Sequence, residues 1–137
     1  MSVNGVAPVS VYVVDDDAEV LEALVGLIDG ENGFTVVGSS MSGGAAIREI
    51  RSRRPAVAVI DADADGFDGI DVCRKIGELA PEVACVLVTA GIGSRWIETE
   101  TEAAAMSAVV LKRLIDFPLL EVIAEVAGDR SGRDHHR

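Results

Sequence analysis

Five polar side chains follow the ends of four short apolar runs in this chain. They are Asp15 and Asp16 after residues 11–14, Asp61 after 57–60, Thr89 after 85–88 and Lys112 after 109–111. Parallel strands bring their carboxyl ends to the same edge of a sheet, so these side chains would converge on one crevice if the runs are parallel strands. Such a cluster could hold Mg²⁺ and accept a phosphoryl group.

The residue types predict different roles for these side chains within that crevice. Asp61 would end the central strand and is the candidate nucleophile, because its neighbours flank it on both sides. Asp16 and Asp61 are predicted to bind Mg²⁺ directly, and Asp15 directly or through water, since Mg²⁺ prefers oxygen ligands and keeps several waters. Thr89 and Lys112 would donate hydrogen bonds to the transferring group.

Short β-branched runs alternate five times with longer segments of helical period, which predicts an α/β fold with a parallel sheet. The predicted strands are 10–14, 34–38, 57–60, 84–88 and 108–111, the second of them a candidate edge strand. We expect a doubly wound five-stranded sheet of order 2-1-3-4-5 with helices on both faces. Its topological switch point would lie between strands one and three, the strands that end in the acids.

Capping residues mark the starts of most of the predicted helices. Asp17, Ser42 and Asp68 are candidate N-caps of the first three helices, and Pro118 suits the first turn of the last helix. The fourth predicted helix, over residues 94–105, has the weakest pattern, because three glutamates interrupt its apolar positions.

Length and composition limit the possible functions. The chain has 137 residues, 49% of them hydrophobic, which suits one domain with one core. A net charge of -11 argues against direct nucleic-acid binding. No signal peptide or membrane-length apolar run is evident, so a soluble cytoplasmic protein is expected. Cys73 and Cys85 lack metal-ligand spacing and are predicted to be buried and reduced.

With these residues assembled, the chain resembles the response-regulator receiver domains of two-component signalling, over about residues 9–127. These have a CheY-like, flavodoxin-like fold, and the pattern here is most similar to NarL and LuxR type receivers. The matching positions are the acidic pair, the phosphoacceptor with its loop, the hydroxyl with its small neighbour and the lysine: Asp15, Asp16, Asp61, Asp68, Gly69, Thr89, Ala90 and Lys112.

This resemblance implies a signalling phosphoacceptor rather than an enzyme. A histidine kinase would transfer a phosphoryl group to Asp61 with Mg²⁺ as cofactor, and the domain would assist its own phosphorylation and dephosphorylation. Phosphorylation would then switch the helix 4 face. The face formed by helix 4, strand 5 and helix 5 would serve a homodimer or a partner protein.

Several positions differ from the usual receiver pattern. Ala64 and Asp65 replace a Met-Pro pair, and Val109 replaces an aromatic residue three positions before Lys112. Asp63 occupies a position that tunes dephosphorylation in the family, and we include its carboxylate with Asp15, Asp16 and Asp61 among the predicted metal ligands.

Residues 1–8 are predicted to be an N-terminal extension, 9–127 the receiver domain, and 128–137 a polar tail or truncated linker. The chain would then be either a stand-alone receiver or a fragment of a longer DNA-binding regulator. His135 and His136 in this tail are expected to be disordered.

Three other functions fit parts of the pattern. The main alternative is a degenerate receiver that binds a protein partner without phosphorylation. An EF-hand loop over residues 61–72 would lack its final glutamate, because Val72 stands there. A phosphohydrolase with Asp63 as general acid would normally need a larger domain and a substrate cap.

Overall fold

A computed structural model of the chain describes residues 7–90, 108–111 and 117–135. The described elements are β1 (Val9–Val14), α1 (Ala18–Asp29), β2 (Phe34–Ser40), α2 (Gly43–Arg53), β3 (Val57–Asp61), α3 (Gly69–Leu79), β4 (Ala84–Thr89), β5 (Ala108–Leu111) and a C-terminal helix (Phe117–His135). The predicted helix over residues 94–105 lies outside the described residues.

The five strands form one parallel sheet in the order β2-β1-β3-β4-β5. This confirms the predicted α/β fold, the strand order and the position of β2 at an edge. The order reverses between β1 and β3, so loops that leave these two strands diverge and open a crevice at their carboxyl ends.

Alternate residues of each strand face opposite sides of the sheet, and each side carries its own apolar core. One core joins Tyr12 and Ile60 to residues of α2 and α3, including Ile50 and Ile76. The other core joins neighbouring strand residues to α1 and the C-terminal helix: Val11, Val13, Val59, Leu24, Ile28, Leu119 and Ile123. Helices therefore cover both faces, and the long apolar runs follow from burial on both sides.

Short polar side chains begin α1, α2 and α3 as predicted. Asp17 accepts hydrogen bonds from the amides of residues 19 and 20, and Ser42 accepts one from the amide of residue 45. Asp68 accepts bonds from the amides of residues 70 and 71. The amides of a helix's first turn have no carbonyl partner within the helix, and each of these side chains accepts a hydrogen bond from such amides. These caps also fix where the preceding loops end.

Several predicted boundaries need correction. The strands β3 and β4 include Asp61 and Thr89, whereas the prediction ended each strand one residue earlier. Pairing between β3 and β4 continues to that level, because Asp61 is in register with Val88. The C-terminal helix continues to His135, so the segment predicted as a polar tail or linker is helical over 128–135. No proline interrupts that segment, and the helical hydrogen-bond ladder propagates through it.

Tyr12 is a fully buried polar residue in the middle of β1. Its hydroxyl donates a hydrogen bond of 2.8 Å to the carboxylate of Glu49 on α2. Burial and this bond raise the pKa of the Tyr12 hydroxyl well above its usual range. Gly38 on β2 makes room for the ring, since a Cβ atom there would lie 2.7 Å from the ring carbon Cε2.

The two cysteines are free and buried, as predicted. A hydrogen bond to Cys85 and burial raise the pKa of the Cys73 thiol. Both effects keep the thiol protonated, and a protonated buried thiol is a poor nucleophile. Among the described helices, none combines the length and apolar character that crossing a membrane would require.

Candidate functional site

The carboxyl ends of β1 and β3 place two buried carboxylates side by side. Val14 pairs with Ile60, so Asp15 and Asp61 follow at the same level of the sheet. Their residues are 1% and 4% exposed. The amide of Asp15 donates to the carbonyl oxygen of Ser40 at 3.1 Å, which keeps the chain paired with β2 beyond the end of β1.

Backbone amides orient these two side chains. The amide of Asp17 donates to Oδ1 of Asp15 at 2.9 Å, and the amide of Asp63 donates to Oδ1 of Asp61 at 3.0 Å. In both cases the donor lies two residues after the carboxylate, which is the geometry of an Asx-turn. Each carboxylate is thus fixed by the turn that its own strand enters.

The loop after β3 closes over Asp16. The half-buried carboxylate of Asp16 accepts hydrogen bonds at Oδ2 from the amides of Asp65 and Gly66, at 2.8 and 2.9 Å. Amide donors to a carboxylate are charge-assisted and stronger than neutral hydrogen bonds. Asp16 therefore links the ends of β1 and β3 through the loop that separates β3 from α3.

Gly69 allows α3 to begin close to the end of β3. A Cβ atom at this position would lie 2.9 Å from Cα of Ala62 and would clash with the carbonyl oxygen of Asp61. Only glycine permits this approach without moving the backbone. The loop thus ends at this pair of residues. Asp68 caps α3, and Gly69 lets the first turn of α3 pack against the backbone of Asp61.

Asp15, Asp16 and Asp61 form a candidate metal centre. One carboxylate oxygen from each lies within 4.8 Å of the others. Two oxygens that bind one Mg²⁺ lie at most about 4.2 Å apart, because each is ~2.1 Å from the ion. Neighbouring ligands of an octahedral ion lie closer together, about 3 Å apart, so shifts of about 1 Å per side chain would bring all three oxygens onto one ion. The donor set contains only oxygen, as Mg²⁺ prefers, so these residues fit the predicted cofactor.

The end of β4 supplies two hydrogen-bond donors at this edge. Thr89 is fully buried, and its Oγ1 donates to Oδ1 of Asp63 at 3.0 Å, with Oδ2 at 3.3 Å. The amide of Ala90 donates to Oδ2 of Asp63 at 2.6 Å. The Asp63 carboxylate is therefore held beside β4, and the group of three acids that come together does not include it. Its role as a metal ligand stays a prediction.

Lys112, the predicted cationic donor, lies outside the described residues. Val109, at the position of the usual aromatic residue, is a partly buried member of the core formed with α2 and α3.

Backbone donors are the main feature that sequence reasoning missed. The amides of Asp65 and Gly66 hold Asp16, and the amide of Ala90 holds Asp63. Every non-proline residue has such an N–H group, so residue type gives no signal for this role. Gly66 and the acid-rich loop were visible in the sequence, but their direction toward Asp16 depends on the fold.

Chemically, this edge of the sheet combines an anionic oxygen cluster with adjacent hydrogen-bond donors. The carboxylates suit a hard divalent cation, and the hydroxyl and amide of Thr89 and Ala90 suit an anionic oxygen. A buried carboxylate between these two groups could act as a nucleophile toward an electrophile that carries negative oxygens.

Comparison with known proteins agrees with this arrangement. A family model for the response regulator receiver domain matches residues 11–124. The DNA-binding transcriptional activator DevR/DosR of Mycobacterium tuberculosis is 28% identical over 127 residues, which cover 93% of this chain and 58% of that protein. The chain thus spans less than two thirds of the length of this relative.

Two solved structures illustrate the likeness in fold. A two-component response regulator of the LuxR family from Aurantimonas sp. SI85-9A1 superimposes with a TM-score of 0.82 at 26% identity, covering 90% of this chain and 88% of that chain. The CheX-CheY-BeF3-Mg²⁺ complex from Borrelia burgdorferi matches with a TM-score of 0.77 at 19% identity, covering 88% of this chain and 90% of that chain.

Proposed function

Because this chain belongs to the response regulator receiver domain family, we propose that it is a phosphoacceptor that takes a phosphoryl group onto Asp61 with Mg²⁺. The observation that carries the proposal is the assembly of Asp15, Asp16 and Asp61, whose carboxylate oxygens lie within 4.8 Å of one another. The end of the central strand places Asp61 between the acids of β1 and the donors of β4.

Asp61 is the nucleophile in this proposal. One of its carboxylate oxygens attacks the phosphorus of a phosphorylated histidine, a P–O bond forms, and the P–N bond to the imidazole breaks. The imidazole nitrogen keeps the electron pair and takes up a proton, and the product is an acyl phosphate. The hydrogen bond from the amide of Asp63 holds the carboxylate in one rotamer, which favours attack from a fixed position.

Asp15, Asp16 and Asp61 would hold the ion. A bound Mg²⁺ shields the negative charges of the carboxylates and the phosphoryl oxygens from one another. The chain contributes three carboxylate oxygens that lie close together. The amide of Asp17 holds the carboxylate of Asp15, and the amides of Asp65 and Gly66 hold that of Asp16, so little rearrangement is required when an ion binds.

In this proposal the hydroxyl of Thr89 and the amide of Ala90 donate hydrogen bonds to the phosphoryl oxygens, and Lys112 adds a positive charge. A histidine kinase is the proposed phosphodonor. The CheX-CheY-BeF3-Mg²⁺ complex supports a protein partner and a magnesium ion at a receiver of this fold. We propose that output passes through the face formed by the predicted helix 4, β5 and the C-terminal helix. The cytoplasmic location stays a prediction.

Intact-mass analysis tests the phosphoryl transfer. The wild-type chain incubated with acetyl phosphate and Mg²⁺ should gain one phosphoryl group, and hydroxylamine should remove it, because acyl phosphates react with this nucleophile. Asp61→Asn should gain none. Asp71→Asn is the matched control, since Asp71 makes only exposed ion pairs with Arg74 and Lys75 on α3. It should be labelled like the wild type.

Labelling of Asp61→Asn at the wild-type rate would contradict the assignment of the nucleophile. Absence of labelling in a folded wild-type chain, with Mg²⁺ present, would contradict the phosphoacceptor function itself and support a binding module that does not depend on phosphorylation.

Urea unfolding tests the metal part of the proposal. Mg²⁺ at 100 times its dissociation constant should raise the free energy of unfolding of the wild type by about 2.7 kcal/mol. Asp16→Asn removes one ligand charge and should weaken Mg²⁺ binding by about tenfold or more. Equal stabilisation of both proteins by Mg²⁺ would show that the ion binds elsewhere.

A further inference from the structure

Asp63 occupies two hydrogen-bond donors at the end of β4 that the proposed function assigns to a phosphoryl group on Asp61. Its Oδ1 accepts from Oγ1 of Thr89 at 3.0 Å, and its Oδ2 accepts from the amide of Ala90 at 2.6 Å. A hydrogen bond from an amide to a carboxylate is charge-assisted and is stronger than one between neutral groups. A carboxylate thus bridges the end of β4 with the same two-oxygen geometry that a phosphoryl group can present.

The topology makes this contact specific to Asp63. The amide of Ala62 donates to the carbonyl oxygen of Val88 at 2.8 Å, so the chain after β3 continues beside the end of β4. Asp63 therefore lies beside Thr89 and Ala90, while its own amide remains bonded to Asp61.

A hydroxyl has one proton to donate, and a backbone amide has one. When both protons point at Asp63, they cannot serve phosphoryl oxygens equally well. The Asp63 carboxylate is also negative, so it would repel a phosphoryl group that approached the same two donors. The two anions therefore compete for one pair of donors.

We propose that the Asp63 carboxylate is an internal competitor of the phosphoryl group, bound to Thr89 and Ala90 before phosphorylation and displaced from them afterwards. This inference rests on the proposed phosphoacceptor function. Residue 63 is exposed, so its side chain can rotate toward solvent, while hydrogen bonds from the amides of Asp65 and Gly66 to Asp16 hold the following part of the loop. Phosphorylation would exchange one anion for another at the end of β4 and release a carboxylate to solvent.

The competition sets the threshold for phosphorylation in this chain. A phosphoryl group must replace two hydrogen bonds to a resident anion, so the binding of any phosphoryl analogue is weaker than the site alone would give. Removing the carboxylate should strengthen that binding. If Asp63 were a metal ligand, as the sequence suggested, its removal would weaken binding, so the two roles of Asp63 predict opposite results.

The probe is beryllofluoride, added with Mg²⁺ to the full ¹⁵N-labelled chain and followed by the amide resonance of Ala90. The variants are Asp63→Ala, Asp63→Asn and Asp65→Ala, the last removing an equal charge from the same exposed loop. Asp63→Ala should bind beryllofluoride about tenfold more tightly than Asp65→Ala, which corresponds to about 1.4 kcal/mol. Asp63→Asn should be intermediate, because an amide oxygen is a weaker acceptor than a carboxylate.

The spectrum without beryllofluoride tests the resident contact independently. The amide proton of Ala90 should shift upfield in Asp63→Ala, since it loses a short bond to an anion, and should keep its position in Asp65→Ala. An unchanged Ala90 resonance in Asp63→Ala would overturn the inference.

Equal or weaker affinity in Asp63→Ala than in Asp65→Ala would overturn the inference while leaving the phosphoacceptor function intact, and weaker affinity would support the metal-ligand role. Failure of every variant and of the wild type to bind beryllofluoride with Mg²⁺ would overturn the proposed function, and this inference with it.

Discussion

Ile60 and Asp61 are consecutive residues of β3, and they represent two different regions of the molecule. Ile60 is fully buried in the apolar core beneath α2 and α3. Asp61 is 4% exposed at the carboxyl edge of the same sheet, next to the acids of β1. The centre of the sheet contributes apolar burial, whereas its carboxyl edge concentrates negative charge in a place that only hydrogen bonds and a cation make tolerable. Two consecutive residues thus contribute to different properties, Ile60 to the stability of the fold and Asp61 to the chemistry of the edge.

Hydrogen bonds from backbone amides stabilise the carboxylates at the carboxyl edge of the sheet. Asp15, Asp16, Asp61 and Asp63 each accept hydrogen bonds from amides of the surrounding turns. Across the part of the chain that the structure describes, no buried side-chain nitrogen or oxygen lacks a hydrogen-bond partner. These hydrogen bonds let Asp15 and Asp61 remain buried, and the apolar core below supplies the free energy that keeps the sheet assembled.

The largest expected effect separates these two regions by stability. Ile60→Ala should lower the free energy of unfolding by about 2–5 kcal/mol, because it leaves a cavity in a closely packed core. Asp61→Asn should change it by no more than about 1 kcal/mol, because asparagine has the same shape and lacks the charge. Urea denaturation in the absence of Mg²⁺ measures both.

Met41→Ala is the control for this pair, since Met41 is 47% exposed, and its effect should stay within about 0.5 kcal/mol. A loss of stability in Asp61→Asn as large as that in Ile60→Ala would show that the acid edge is part of the structural core.

Gly69 and Gly77 give a smaller, matched comparison within α3. Gly69→Ala should lower the free energy of unfolding by about 1–3 kcal/mol, because its Cβ would push α3 away from the end of β3. Gly77→Ala should raise it by about 0.8 kcal/mol, since alanine favours helix and the space around Gly77 is open. Thermal or urea unfolding measures both, and phosphorylation by acetyl phosphate should slow only in Gly69→Ala. Equal stability changes would refute the close approach at Gly69.

The smallest expected effect concerns Tyr12 and appears only at alkaline pH. Its pKa is raised in the folded chain, so the neutral hydroxyl is favoured by folding. The stabilisation is complete below the unfolded pKa of about 10 and is lost as pH rises through the folded pKa. Tyr12→Phe should therefore have a free energy of unfolding that declines less than that of the wild type between neutral pH and pH values above about 10.

Because Tyr12 is the only tyrosine of the chain, tyrosinate absorbance reports its ionisation directly. Ionisation of the folded wild type near the pKa of free tyrosine would contradict the burial of this hydroxyl. The difference between wild type and Tyr12→Phe cancels the titration of other alkaline groups.

The sequence was sufficient for the order of strands and for the identity of the acids. Apolar runs of four or five residues alternate with capped helical segments, and a parallel sheet buried on both faces needs such runs. Asp17, Ser42 and Asp68 fixed three helix starts, because short polar side chains satisfy the amides of a first turn. Asp15, Asp16 and Asp61 were predicted to meet since parallel strands share a carboxyl edge.

The helix over residues 128–135 was missed, because the polar composition of this segment gave no apolar stripe and predicted a tail instead. Helix propagation depends on the preceding turns as well as on local residue types.

The tertiary structure alone decided which hydrogen-bond partners each carboxylate has at this edge. Asp15, Asp16 and Asp63 are equivalent as residue types, and sequence placed all of them near a metal ion. The fold directs the amides of one loop to Asp16 and the donors of β4 to Asp63. Those contacts join residues 26 to 50 positions apart in the chain, and the direction of an amide follows from backbone path rather than from residue type. The sequence therefore determined the chemical groups, and the packing of loops on the sheet determined their partners.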